Sequence, residues 1–260
     1  RLLGSAPFRP LLRGTLVKQV AARARRDHYP APYAMIDQWS RHGVSGEQAF
    51  DAEAHSISRL FLDGSARGLI RVFQLQDRLK ALGGKPDKSL QRVHVVGAGV
   101  MGGDIAAWCA LRGLDVTLQD RELKYITPAL ERAAKLFEKR MRDPQQRAAT
   151  TARLRADVAG DGVATANLLI EAIYENLEAK QQLYAAAEPR LPATSVLATN
   201  TSSIALELLS AKLADPGRLL GLHFFNPVAQ MPLVEVIHGE ATRAEPLAAA
   251  MAFARRIDKL

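Results

Sequence analysis

The sequence predicts an α/β protein: a doubly wound, mainly parallel sheet that follows a small all-helical region. From residue 93 to residue 260, short apolar runs typical of buried strands alternate with stretches of helical spacing, which indicates parallel βαβ units. Residues 1–88 contain only helical patterns and end in a Gly/Pro-rich stretch at 83–88. We therefore predict a helical linker region at 1–88 and a sheet domain at 89–260.

Four helices are predicted in the first region, at about 11–27, 32–43, 46–62 and 66–82, because apolar residues recur there every three or four positions. Pro30 and Pro32 indicate an extended turn, and Pro32 can start the second helix. Ser65 is a candidate N-cap for the fourth helix.

The net charge of +8 arises entirely before the sheet domain: residues 1–92 hold 16 Lys and Arg against 8 Asp and Glu, whereas residues 93–260 hold 19 of each. These cations are scattered along helices without an aromatic stacking platform, so we expect no nucleic-acid partner. No apolar run approaches the ~18 residues of a transmembrane segment. The single cysteine, Cys109, fits a reducing compartment, and we expect a cytoplasmic protein.

The first strand and helix of the sheet domain flank a glycine-rich turn. Val93–Val96 is a short apolar run, the segment 97–102 reads GAGVMG, and a helical pattern follows as far as Gly113. A second apolar run, Val116–Leu118, ends near Asp120. A strand, a G-x-G-x-x-G turn, a helix and a second strand that ends in an acid form the dinucleotide-binding fingerprint of the Rossmann fold.

The residue type at each position of this fingerprint has a physical explanation. Gly97 permits the tight turn, Gly99 lets the backbone approach a pyrophosphate, and Gly102 allows close helix–strand packing. The N-terminus of the helix then faces the phosphates. Asp120 can accept hydrogen bonds from the ribose hydroxyls and would repel a 2′-phosphate. Because Arg121 is the one cation adjacent to it, the sequence predicts NAD rather than NADP.

Five further strands are predicted, at 153–157, 168–173, 195–199, 218–222 and 233–237. The helices between and after them are predicted at 122–142, at 176–190 with Asn176 as N-cap, from 205, and at 244–257. The polar run after Pro144 is predicted to be a loop. No metal ion is expected.

Several polar residues follow the predicted strands, where ligands bind in doubly wound sheets: Glu175, Ser202, His223 and Asn226. Glu235 lies within the last strand, between two valines, where an unpaired buried carboxylate would be costly. Its nearest candidate partner is His223. A histidine held by a carboxylate can take the proton of an alcohol. From spacing alone, Glu235 could instead face water at a sheet edge, with His223 a structural turn residue.

Four ordered motifs carry a resemblance to a known family: GAGVMGGDIA, EAIYENLEAK, LATNTSSI and GLHFFNPVAQMPLVEVI. From about residue 93 to residue 260, the chain resembles the NAD-binding domain of 3-hydroxyacyl-CoA dehydrogenase. The upstream segments DHYPAP and GEQAFDAEA resemble the linker that joins enoyl-CoA hydratase to this dehydrogenase in the alpha subunit of multifunctional fatty-acid oxidation enzymes.

The resemblance implies a role for each matching residue. His223 would be the catalytic base, Glu235 its orienting partner, and Ser202 and Asn226 the contacts to the substrate oxygen and the nicotinamide end of the cofactor. The remaining cofactor-binding residues implied are Gly97, Gly99, Val100, Met101, Gly102, Asp120, Ile173, Tyr174, Glu175 and Lys180.

The activity implied is NAD-dependent oxidation of an (S)-3-hydroxyacyl-CoA to the 3-ketoacyl-CoA in fatty-acid β-oxidation, in an oligomeric protein with a possible thiolase partner subunit. Two alternatives stay open: a 3-hydroxy acid dehydrogenase that does not use CoA, and a non-catalytic NAD-binding scaffold. The hydratase core and the family's C-terminal helical domain are not in this chain. We therefore expect a fragment that binds NAD but has little or no activity alone.

Overall fold

A computed structural model describes residues 8–82 and 90–260 of the chain. The chain divides after Arg78 into two compact units. The Gly/Pro-rich stretch at 83–88, where we predict the boundary between the linker and the sheet domain, lies outside the described residues.

The first unit is helical. It contains α1 (Arg9–Ala21), α2 (Pro30–His42), α3 (Glu47–Leu62) and the greater part of α4 (Gly64–Leu82). Helix α2 packs against both α1 and α3, and it buries Tyr33 and Ile36. Arg13 of α1 pairs with Asp37 of α2 at 2.7 Å, which adds an ion pair to the small apolar contact.

Two helix starts in this unit differ from the prediction. Helix α2 begins at Pro30 rather than Pro32, because the first helical turn has N–H groups without intrahelical partners and prolines lose nothing there. At the start of α4, the Asp63 carboxylate accepts from the backbone N–H of Ser65 at 2.8 Å. Asp63, and not Ser65, therefore provides the capping oxygen.

The second unit is built on a seven-stranded sheet in the order β3-β2-β1-β4-β5-β6-β7. The strands are β1 (Arg92–Val96), β2 (Asp115–Gln119), β3 (Leu154–Ala156), β4 (Leu168–Glu171), β5 (Val196–Thr199), β6 (Leu219–Phe224) and β7 (Val234–Ile237). All neighbours pair in parallel except β6 and β7, which are antiparallel. The predicted doubly wound, mainly parallel sheet is confirmed.

Helices cover both faces of this sheet. They are α5 (Val100–Leu111), α6 (Leu123–Arg140), α7 (Pro144–Arg153), α8 (Leu177–Ala187), α9 (Leu206–Ser210) and α10 (Ala244–Arg256). Successive side chains of a strand point to opposite faces. Accordingly, Leu168 and Ile170 of β4 join the core beneath α5, α6 and α10, whereas Leu169 joins the core beneath α8 and α9.

The predicted loop after Pro144 is wrong, because these residues form helix α7. The Asp143 carboxylate accepts from the backbone N–H of Gln145 at 2.9 Å, and Pro144 occupies the first turn, which together are a standard helix start. The helix buries only Thr150. It therefore lacks the apolar periodicity on which the prediction depended.

Candidate active site

The glycine turn and the ends of β1, β2 and β4 enclose a cleft of about 540 Å³. Gly97, Gly99, Asp120, Ile173 and Tyr174 line it. Glu175 and Lys180, two further residues of the predicted cofactor set, are not part of this lining. The cleft lies beyond the carboxyl ends of parallel strands, at the point where β1 is flanked by β2 on one side and β4 on the other, which is the usual ligand position in this class of sheet.

The three glycines of the turn have different structural requirements. Gly97 has a φ of +104°, and a Cβ there would lie 2.5 Å from the carbonyl oxygen of Ala172. A Cβ on Gly102 would collide with the carbonyl oxygen of Gly97. At Gly99, in contrast, a Cβ would meet no described atom within 4 Å. The fold requires Gly97 and Gly102, whereas the space over Gly99 is free for a ligand.

The other members of the glycine turn start helix α5. Val100 is exposed at its first position, and Met101 packs against the core. The N–H groups of this first turn have no intrahelical acceptors, and the positive end of the helix dipole lies here. The turn therefore offers a site for the phosphates of a dinucleotide.

Asp120 connects the end of β2 to the glycine turn. One carboxylate oxygen accepts from the backbone N–H of Ala98 and the other from that of Arg121, both at 2.8 Å. These bonds fix the carboxylate at the wall of the cleft. A second cation, Lys124, lies near Tyr125 of the cleft lining and pairs with Glu122 at 2.8 Å.

His223 and Glu235 are directly opposite each other on β6 and β7. The two side chains therefore lie on the same face of the sheet, and His223 Nδ1 is 2.8 Å from Glu235 Oε2. A carboxylate only accepts, so Nδ1 carries the proton and the Nε2 lone pair of a neutral ring stays free. The ring also makes an edge contact with Phe225, at 4.7 Å between centroids.

The expectation that Glu235 is buried is wrong. Half of its side chain is exposed, compared with 21% for His223, because β7 is the edge strand of the sheet. The two interpretations left open by the sequence are both partly right: Glu235 faces water at a sheet edge, and it also pairs with His223. An edge strand can carry an acid without the cost of full burial.

The loop after β5 and the loop after β6 hold the other two predicted substrate contacts. Ser202 and Asn226 are exposed, and neither side chain has a hydrogen-bond partner among the described residues. Asn226 precedes Pro227 through a cis peptide bond. The two loops are connected by Asn200, whose side-chain oxygen accepts from the backbone N–H of Phe224 at 2.9 Å.

Lys180 is almost completely buried beside the equally buried Glu171, with its ammonium 2.6 Å from Glu171 Oε1. It also lies 3.3 Å from Glu175 Oε2. Partial burial of Glu175 acts to raise its pKa, but the hydrogen bond from Thr201 and the charge of Lys180 more than offset this and hold the pKa below its usual value. These side chains form a polar network under the site.

Three residues of the site were not predicted from the sequence: Glu171, Asn200 and Thr201. Glu171 directly follows the apolar run of β4, in the series Leu168–Glu171. An acid at the end of a fully apolar strand, with a lysine nine residues later, is a signal that could have identified the pair.

Comparison with known proteins identifies the family. The sequence profile described as "3-hydroxyacyl-CoA dehydrogenase, NAD binding domain" matches residues 92–260, which is more than half of the chain. The chain belongs to the 3-hydroxyacyl-CoA dehydrogenase family. It carries the NAD-binding domain of that family, and its cofactor is NAD.

Relatives of this dehydrogenase domain include alpha subunits of fatty acid oxidation complexes. The fatty acid oxidation complex subunit alpha of Pseudomonas aeruginosa (strain LESB58) is 34% identical over 240 residues, covering 89% of this chain and 34% of that protein. The chain therefore spans about a third of the length of such relatives. Because residues 92–260 cannot supply 89% of the chain, the alignment also includes part of the helices before residue 92.

Solved structures of similar dehydrogenases share the fold. The 3-hydroxybutyryl-CoA dehydrogenase of Escherichia coli K12 is 35% identical, with a TM-score of 0.63 over 65% of this chain and 37% of that one. The dehydrogenase part of multifunctional enzyme 1 from C. elegans is 29% identical, with a TM-score of 0.62 over 70% of this chain and 46% of that one.

No helix among the described residues could span a membrane.

Proposed function

We propose that this chain is the NAD-binding and proton-transfer part of an enzyme that oxidises an (S)-3-hydroxyacyl-CoA to the 3-ketoacyl-CoA in fatty-acid β-oxidation. The observation that carries the proposal is the hydrogen bond between His223 and Glu235 on adjacent strands. His223 lies near the carboxyl end of β6, in the same sheet whose carboxyl edge forms the cofactor cleft. The names of the relatives, which act on CoA esters, add the substrate class.

In this proposal His223 is the catalytic base. Glu235 accepts from Nδ1 and so fixes the ring orientation, and the free Nε2 takes the hydroxyl proton of the substrate. The carboxylate also stabilises the imidazolium that results. NAD, when bound, accepts the hydride from the carbon that carried the hydroxyl. For the reverse reduction, the protonated His223 returns the proton to the ketone oxygen.

Ser202 and Asn226 are the proposed contacts to the substrate oxygen and the nicotinamide end. Their exposure without protein partners supports this, because each side chain can bind a ligand without breaking a hydrogen bond within the protein. The proposed cofactor residues that line the cleft are Gly97, Gly99, Asp120, Ile173 and Tyr174. Glu175 and Lys180 do not line the cleft, and they would support the cofactor site from beneath.

The whole protein is proposed to be multifunctional. Identity with the alpha subunits that extends upstream of residue 92 supports residues 1–88 as a linker after an enoyl-CoA hydratase domain, with residues 89–260 as the NAD-binding domain. A cytoplasmic location, an oligomeric state and a thiolase partner subunit are further parts of the proposal.

Substrate comparison in the full-length protein tests this function. With NADH as the reductant, acetoacetyl-CoA is expected to be reduced at a much higher kcat/KM than free acetoacetate. Equal or better use of the free acid would support the dehydrogenase that does not use CoA. Binding of NADH without reduction of either compound would support the non-catalytic scaffold.

A further inference from the structure

Glu171 is a fully buried acid whose hydrogen-bonding capacity is used within the protein. Its Oε1 accepts from the Lys180 ammonium at 2.6 Å and from the backbone N–H of Ile173 at 2.8 Å. Its Oε2 accepts from the Thr199 hydroxyl at 2.7 Å. A buried carboxylate is stable only with such partners. Glu171 is therefore fixed at the end of β4 and presents its charge to Lys180.

Lys180 connects Glu171 to the loop that follows β4. Its ammonium lies 3.4 Å from the carbonyl oxygen of Ile173 and 3.3 Å from Glu175 Oε2. With 1% of its side chain exposed, Lys180 has no solvent to replace a lost partner. Removal of the Glu171 charge would leave Glu175 as its only close carboxylate among the described residues.

Glu175 fastens the loop that carries Ser202. Its Oε1 accepts from the hydroxyl of Thr201, from the Ser203 hydroxyl at 3.1 Å and from the backbone N–H of Ser202 at 3.3 Å. The loop after β4 and the loop after β5 are thus held together by one carboxylate, and that carboxylate is held from beneath by Lys180.

We propose that Glu171 is a positioning residue for the nicotinamide end of the cofactor. It holds Lys180, which holds Glu175, which fixes the loop with Ser202. This inference rests on the proposed placement of Ser202 beside the nicotinamide. Glu171 does not itself line the cleft, and its side chain reaches the lining through the backbone N–H of Ile173. Among the described residues, the side chain makes no hydrogen bond to the glycine turn or to Asp120, so we expect its influence to be greatest at the nicotinamide end of the dinucleotide.

The test compares two ligands that share the adenosine and diphosphate groups but differ at the nicotinamide. In Glu171→Gln, which keeps the size of the side chain and removes its charge, the Kd of NADH is expected to rise about tenfold. The Kd of ADP-ribose is expected to stay unchanged, because the glycine turn and Asp120 are intact. Ser195→Ala removes a buried hydroxyl that donates to Ala166 at the other end of β5, and as the matched control it should alter neither value.

Two further variants test whether Glu171 acts through Lys180. If Glu171 acts through Lys180, the double variant Glu171→Gln/Lys180→Met should bind NADH no more weakly than Lys180→Met alone. The double variant also removes both buried charges, so it should fold even if Glu171→Gln alone fails to fold. It should still bind NADH more weakly than the parent chain while binding ADP-ribose equally.

Three results would overturn the inference: equal losses of NADH and ADP-ribose affinity, additive effects of the two substitutions, or a double variant with the parent's ratio of affinities. All these measurements are of binding without an acyl substrate. Failure of the proposed acyl-CoA oxidation would therefore leave them unaffected.

Discussion

At the residue scale, the central feature is a histidine whose partner is half exposed. Glu235 pairs with His223 Nδ1 at 2.8 Å on the edge strand of the sheet. Water competes for a hydrogen bond at an exposed carboxylate, so the pair contributes little to the stability of the fold. The contribution of Glu235 should instead be to the orientation of the ring and to the charge on it during reaction.

This leads to a prediction for Glu235→Gln. The amide oxygen can still accept from Nδ1, but it has no charge to stabilise the imidazolium, so kcat should fall about a hundredfold. NADH affinity and thermal stability should not change. Steady-state kinetics of the full-length protein would measure this, with Glu240→Gln, an exposed acid beyond the same strand, as the control. A large loss of stability with normal kcat would show a structural role.

At the scale of the elements, the strand–turn–helix unit formed by β1 and α5 determines where a dinucleotide can bind. Its two constrained glycines, Gly97 and Gly102, are required by the fold, whereas Gly99 is proposed to leave room for the ligand. Sequence spacing places all three in one motif but cannot separate these functions, because the distinction depends on which atoms surround each missing Cβ.

A pair of alanine substitutions separates them. Gly102→Ala should lower the free energy of unfolding by about 2 kcal/mol, because the new methyl group collides with the carbonyl of Gly97. Gly99→Ala should leave stability unchanged and weaken NADH binding, because its methyl group enters the free space. Chemical denaturation and NADH titration of both variants would measure this. The reverse pattern would contradict the assignment.

At the scale of the whole molecule, a buried histidine outside the proposed catalytic pair is expected to make stability depend on pH. His94 of β1 is fully buried, and its ring lies 2.7 Å from the Thr117 hydroxyl and 2.8 Å from the Gln119 side-chain oxygen. Burial lowers its pKa below the ordinary 6.5, although the hydrogen bond to Gln119 and the charge of Asp157 oppose this shift.

The lowered pKa of His94 determines whether stability rises or falls with pH. Between the lowered pKa and 6.5, the unfolded chain binds more protons at this site than the folded chain, so stability rises with pH through this window. We expect the free energy of unfolding to fall as the pH decreases below about 6.5. In His94→Gln, urea unfolding should show a smaller decrease, and the same decrease as in the parent chain would contradict this role.

The elements that depend on apolar pattern could be predicted from the sequence, and those that depend on polar contacts could not. All seven strands were predicted, most of them because buried parallel strands are apolar runs. Helix α7 was missed because it buries almost nothing. The opposition of His223 and Glu235 was inferred from their strands, but the exposure of Glu235 depends on β7 being the edge strand. The Glu171–Lys180 pair was not predicted, although the position of Glu171 at the end of the apolar β4 was a signal for it.

The most direct test of the account is His223→Gln in the full-length protein. Without a base, kcat for 3-hydroxybutyryl-CoA oxidation should fall about a thousandfold. The Kd of NADH, measured by titration, should stay unchanged, because the glycine turn, Asp120 and the loop that carries Ser202 are intact in this variant. Turnover at the parent rate would contradict the central claim that this imidazole, paired with Glu235, accepts the substrate proton.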